Sequence, residues 1–232
     1  HEDFVVQVKP YRPWIKKRIT FDEYGRRGGD PAGRPYAKFL VSDRYVQADD
    51  PRIKNLAEWL KGTETSVVTV LKRLNAYVVG RLRYGDPITG LYSSDDALTK
   101  KYVDCGGFDT LLAALAMSLG VPARIVSGFW AVAKTKNDMH AWLELMLPDG
   151  TWIPTDPSVE QLVRQGRSAR SGRLGFAGSD RVAMSVGSDI PVRFDGVASA
   201  ADILQHPFVW SEQGARGLMT QTVVTIPKVW RG

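Results

Sequence analysis

The sequence predicts an α+β fold in which helices come first and an antiparallel sheet follows. Three observations carry this reading. Between residues 50 and 120 apolar residues recur at helical spacing. After Pro122 the pattern changes to β-branched and alternating runs over 122–130, 140–147 and 151–155. The chain has 232 residues, 44% hydrophobic and 24% charged, which is enough to bury a sizeable core.

The elements follow in order. Phe4 to Val8 reads as a short strand, broken by Pro10 and Pro13, and Tyr24 to Pro35 reads as a Gly/Arg/Pro loop. Asp49-Asp50-Pro51 starts a helix through Ile53, Leu56, Ala57 and Leu60 that stops at Gly62. A second helix starts at Thr63 or Thr65, carries Val67, Val70, Leu71, Leu74 and Val78 on its apolar side, and ends within 80–85. A loop over 85–94 and a short polar helix ending near Lys101 precede a helix that opens at Cys105. Phe108, Leu111, Leu112, Leu115 and Leu119 give that helix an amphipathic period, and Gly120 and Pro122 close it.

The three strands named above come next. Residues 166–179 are rich in Gly, Ser, Arg and Ala without periodicity and read as a mobile insertion. Short strands are expected at 182–186, 190–194 and 220–229, and no internal repeat is visible. These elements group as an N-terminal strand-and-loop extension (1–48), a core (49–165), and a C-terminal loop and strands (166–232) completing the same domain.

Composition excludes several classes of function. The formal net charge of +6 comes from dispersed basic residues with no nucleic-acid reading motif, so no nucleic-acid partner is expected. No apolar run reaches the roughly 18–20 residues that span a bilayer, so no membrane-spanning segment is expected. One cysteine makes no internal disulfide, and one Cys with three scattered His offers no zinc set. No calcium-loop pattern is present, and neither metal nor cofactor is expected. The chain opens on His1-Glu2-Asp3, so any targeting segment would lie outside it. Compartment (cytoplasmic or exported) and oligomeric state stay open.

Cys105 is placed in the first turn of its helix, where unpaired N–H groups and the positive dipole end favour a thiolate. Gly106 and Gly107 would leave room for a substrate backbone beside the sulfur, and a backbone N–H there could serve an oxyanion. In 140–147, Ala141, Leu143, Leu145 and Leu147 form one apolar strand face, and His140, Trp142, Glu144 and Met146 form the other.

Leu147-Pro148-Asp149-Gly150-Thr151 suits a three-residue hairpin loop with Gly left-handed. That register pairs Leu147 with Thr151 and sets Asp156 on the His140 face, diagonal to it. A two-residue loop would instead bury Asp156 opposite Leu143, where an ionised carboxylate is costly. The first register is therefore preferred, and it supplies a nucleophile, a base and an orienting acid.

Five stretches in sequence order carry a family resemblance: Asp104-Cys105-Gly106-Gly107-Phe108, Leu111-Leu112-Ala113-Ala114-Leu115, 119–129, His140-Ala141-Trp142-Leu143-Glu144, and 149–157. They resemble the core of the transglutaminase-like superfamily, with its papain-like Cys-His-Asp arrangement. The resemblance implies Cys105 as nucleophile, His140 as base and then acid, and Asp156 as orienting group. It implies an upstream aromatic oxyanion donor, for which Tyr84 and Tyr102 are both candidates, and Trp142 as a wall of the site. Arg124 is expected in a structural ion pair, Glu144 as a solvated or paired strand charge, and His206 as structural. Asp109 departs from the family pattern, because a negative charge there would oppose thiolate formation.

The implied function is a cysteine-nucleophile enzyme acting on a peptide or protein amide through an acyl-enzyme thioester, as a peptidase or amidase. Protein-glutamine transamidation and a non-catalytic binding module are the alternatives.

Overall fold

Five helices start on side chains that take up the unpaired first-turn N–H groups. In the computed structural model, which describes residues 6–16, 18–26, 36–131, 139–194 and 197–205, Asp50 caps α2 (Pro51–Lys61) and Ser66 caps α3 (Val67–Arg81). Ser93 and Asp96 form a capping box on α4 (Ser94–Thr99), and Asp104 caps α5 (Cys105–Ser118) by accepting from Gly107 N–H. The second helix thus starts at Val67, behind Ser66, rather than at Thr63 or Thr65. A short α1 (Asp22–Arg26) occupies the start of the stretch expected to be loop.

Val6 to Val8 has no regular structure, so the expected first strand is not formed in its described part. Residues 1–5, His206 and the strand expected at 220–229 lie outside the described residues.

The main sheet has the order β5-β4-β3-β6, from β3 (Ala123–Trp130), β4 (Met139–Met146), β5 (Trp152–Thr155) and β6 (Arg181–Val186), and every pairing is antiparallel. Two small ribbons accompany it. β1 (Arg83–Tyr84) pairs in parallel with β2 (Tyr102–Val103), and β7 (Ile190–Phe194) pairs with β8 (Val197–Ala201).

α5 packs on the Ala123, Ile125, Ala141, Leu143, Leu145 and Ile153 face of the sheet and against α2, α3 and α4. It is not amphipathic in place. Residues 106–117 are all buried, because Ala113, Ala114, Ala116 and Met117 fill the faces its leucines leave. A helix enclosed in this way holds its first residue, Cys105, at a fixed point against the sheet.

The sequence analysis did not foresee α6 (Pro157–Arg164), capped by Asp156 with Pro157 at its first position. Its Gln161 donates to the carbonyls of Val79 and Leu82 and accepts from Tyr84 N–H at 2.8 Å, tying α3 and β1 to α6. Residues 166–180, expected to be a mobile insertion, are hydrogen-bonded to the rest of the chain. Asp156 N–H donates to Gly172 O (2.8 Å), Gly175 N–H to Pro154 O (2.7 Å), and Ala177 bridges to Tyr11. Backbone bonds, rather than an apolar stripe, hold this loop along β5 and the start of α6.

Candidate active site

The hairpin between β4 and β5 sets the site's register. Leu145 pairs with Ile153 and Leu143 with Thr155, and Leu147 N–H donates to Thr151 O at 2.8 Å. Gly150 takes φ +87° in the three-residue loop, a conformation an L side chain rarely adopts. This is the register preferred from sequence, and it brings Asp156 to His140: imidazole Nε2 and carboxylate Oδ2 are 2.6 Å apart.

Both residues are buried, His140 at 3% and Asp156 at 1% exposure. His140 is therefore no surface histidine. Its ring stacks on Trp130 at 4.0 Å between centroids and lies 6.2 Å from Trp142, nearly parallel to each. Trp130 sits two residues along β3 from Gly128, the partner of His140, and so shares its face.

All of Asp156's lone pairs are engaged. Oδ1 accepts from Ser158 Oγ and Val159 N–H, each at 3.0 Å. Oδ2 accepts from Arg181 Nη1 at 2.7 Å besides meeting His140. Burial pushes this carboxyl up, but His140, Arg181 and the Val159 N–H outweigh it and hold it below the ordinary range.

Arg181 went unnoticed in the sequence. It is buried on the far edge strand, opposite Trp130, and its other donors reach Asp180 (3.0 Å) and the Ser171 carbonyl (2.9 Å). Gln205 closes the sheet end by donating to the carbonyls of Gly128 and His140, each at 2.9 Å.

Cys105 is a partly buried free thiol at the start of α5, and the backbone N–H of Ala141, next to His140, favours its thiolate. Among the described residues, the contacts join His140 to Asp156 directly and bring Cys105 to the neighbouring residue. No direct thiol–imidazole hydrogen bond is made. The helix start does not by itself yield a thiolate. Burial first, then Asp104 and Asp109, push the thiol well above its usual value, and only Ala141 N–H opposes them prominently.

Gly106 and Gly107 do not leave space for a substrate. A side chain at Gly106 would run into Leu91, and one at Gly107 into Val103, so their role is close packing at the head of α5.

The two tyrosine candidates separate. Tyr84 lies close enough to Cys105, Asp104 and Asp156 for their charges, after burial, to push its hydroxyl up to about 12. Its proton is therefore held, and the hydroxyl is a donor. Tyr102 is half exposed on β2, with Lys101 over its ring. Arg124 pairs with Glu144 at 2.7 Å and stacks on Trp152, so both charges serve the sheet. Asp109, four residues into α5, is fully buried and neither oxygen has a hydrogen-bond partner. No group of His, Cys, Asp and Glu among the described residues could hold a metal ion, and no described helix is long and apolar enough to cross a membrane.

A thiol at the head of a buried helix, with an imidazole and a carboxylate on the adjoining antiparallel sheet, defines a papain-like α+β architecture. Residues 54–157 match the family model of the transglutaminase-like superfamily.

The uncharacterized protein YebA of Bacillus subtilis is 22% identical over 144 residues, which cover 52% of this chain and 20% of YebA. The chain thus spans about a fifth of that relative. Among solved structures, a proposed cysteine protease of Cytophaga hutchinsonii superposes with a TM-score of 0.46 at 21% identity, over 76% of this chain and 59% of that one. The periplasmic domain of TgpA from Pseudomonas aeruginosa superposes with a TM-score of 0.46 at 21% identity, over 61% of this chain and 52% of that one.

Proposed function

We propose that this chain is a cysteine-nucleophile enzyme acting on amide bonds of peptides or proteins, as a peptidase or amidase. The observation that carries the reading is the buried His140–Asp156 pair, 2.6 Å apart, with His140 on the strand that meets Cys105 at Ala141. A buried imidazole–carboxylate pair is costly to desolvate and serves no packing need that an apolar pair would not meet better. Beside a thiol it has a chemical use.

The resting thiol keeps its proton. With Nε2 engaged by Asp156, Nδ1 is the nitrogen left to take that proton as sulfur attacks the carbonyl carbon. The carbonyl π pair moves to oxygen, where the Tyr84 hydroxyl and the first-turn N–H of Cys105 are the available donors. Collapse of the tetrahedral adduct breaks the C–N bond, and imidazolium protonates the departing amine. The thioester is then hydrolysed by water that His140 deprotonates. The chemistry is assigned to the 49–165 core, with 166–232 completing the same domain through Arg181.

Turnover of casein and fluorogenic peptide amides by the wild type, with Cys105→Ala as control, tests the reading. We expect Cys105→Ala to lose at least about a thousandfold in kcat/KM. Absence of turnover on every amide refutes the enzyme reading and favours a binding module. Amine incorporation into casein without cleavage replaces hydrolysis by transamidation.

A further inference from the structure

We propose that Arg181 is a positioning residue for the Cys105–His140–Asp156 centre, sharing one carboxylate oxygen with His140 and so limiting how much of that charge the imidazole feels. The inference rests on the catalytic reading above and adds to it the group that regulates the base.

Arg181 sits on β6 and Asp156 follows β5, the two opposite edges of the sheet. The guanidinium nevertheless reaches Asp156 Oδ2 at 2.7 Å, the same oxygen that lies 2.6 Å from His140 Nε2. Both side chains of the ion pair are nearly inaccessible, at 3% and 2%. The fork is fixed on three sides by Asp156, Asp180 and the Ser171 carbonyl.

A second positive charge on the imidazole would stand one carboxylate oxygen away from this guanidinium. The walls there are Trp130, with the guanidinium 4.9 Å from its ring centre, and Trp142 at 5.6 Å. Water does not screen the pair, so the repulsion is felt at close range.

The other charged or titratable groups around the centre can be named by element. α5 contributes Cys105 and Asp109, and Asp104 precedes it. β1 contributes Tyr84. Asp180 precedes β6, and Arg170 of the 166–180 loop lies 3.9 Å from the centre of the Trp130 ring. Asp156 alone among them bonds both Arg181 and His140.

The sign of the effect separates two roles. A guanidinium acting on sulfur directly would stabilise the thiolate, and its removal would make the thiol harder to ionise. Acting through Asp156, it opposes the imidazolium, and its removal makes proton transfer from Cys105 to His140 easier. The second effect dominates because Arg181 and His140 share an atom, whereas no contact joins Arg181 to Cys105.

Iodoacetamide alkylation of Cys105 across pH 5–10, in the full chain, tests this without any amide substrate. R181Q should lower the alkylation midpoint by about one pH unit, whereas R181K, which keeps the charge, should match the wild type. In an H140A background R181Q should no longer lower it. A midpoint in R181Q that is unchanged or raised overturns the proposal, as does a fall that persists without His140. If R181Q fails to fold, R181K decides, because a lowered midpoint with the charge retained overturns the role. A wild type without amide turnover defeats the proposed function but leaves the alkylation result to stand or fall separately.

Discussion

Two carboxyl groups are buried within electrostatic reach of the same thiol, and the fold treats them in opposite ways. Asp156, at the start of α6, has a partner for each lone pair: Ser158, Val159 N–H, Arg181 and His140. Asp109, inside α5, has none. Burial raises both. In Asp156 the partners win and the charge is kept. In Asp109 the neighbouring Asp156 and Asp104 add to burial, only Arg181 opposes them, and the carboxyl is pushed far above its usual range. The lesson is that partners, not depth, decide ionisation.

The largest expected effect tests the charged member of the pair. Asp156→Asn keeps the shape but loses the negative charge that fixes the imidazole and balances Arg181. Its kcat/KM on any amide the wild type cleaves should fall on the order of 10⁴-fold. Asp109→Asn, which imitates the protonated form, should stay within about threefold on the same substrate. Equal losses in the two variants would show that Asp109 works as an anion and would break the contrast.

Tyr84 extends the rule from acids to a donor, since burial and the nearby acidic groups keep its proton in place. Tyr84→Phe should lower kcat on the order of 10²-fold with little change in KM, as expected for a donor that acts in the transition state. Tyr102→Phe, at the surface, should leave both constants alone. The reverse result would move the oxyanion role to Tyr102.

How much of this was legible in the sequence depends on how local the determinant is. The His140–Asp156 contact was readable because Pro148-Asp149-Gly150 fixes the hairpin, and Gly150 does take the left-handed conformation. The helix start at Asp50-Pro51 was readable for the same reason. α6 carried a comparable signal, since Asp156-Pro157 repeats the Asp50-Pro51 start, but Asp156 was read as the orienting acid and not as a helix cap.

Trp130 was out of reach because its place beside His140 depends on the β3–β4 register, for which the sequence carries no signal like Pro148-Asp149-Gly150. Arg181 was hidden within a basic, aperiodic stretch whose order comes from backbone bonds to Asp156, Pro154 and Tyr11. The thiol misled for a related reason. The helix start is a local rule, whereas the burial that first opposes it comes from the elements packed around the head of α5, with Asp104 at the cap adding to it.

The smallest effect expected is on stability, and it bears most directly on the contrast. Asp109→Leu removes a buried carboxyl that has no partner, so it should raise stability at pH 7 by about 1–3 kcal/mol in urea unfolding. The pH dependence carries the sign. Asp109's folded value lies above its unfolded value of about 4. Its contribution is therefore fully present below that pH and is lost as pH rises towards the folded value. The advantage of Leu should accordingly be smallest near pH 3.5, where only the unpartnered protonated carboxyl is removed, and grow above pH 4.

Asp156, depressed in the fold, runs the other way. Its contribution is present above about pH 4 and fades as pH falls through its folded value. Unfolding curves of the wild type and Asp109→Leu should lie closest in acid and separate towards neutrality. Curves offset equally at every pH would mean that Asp109 titrates normally in the fold. The two buried carboxyls would then differ only in their bonds, not in their charge.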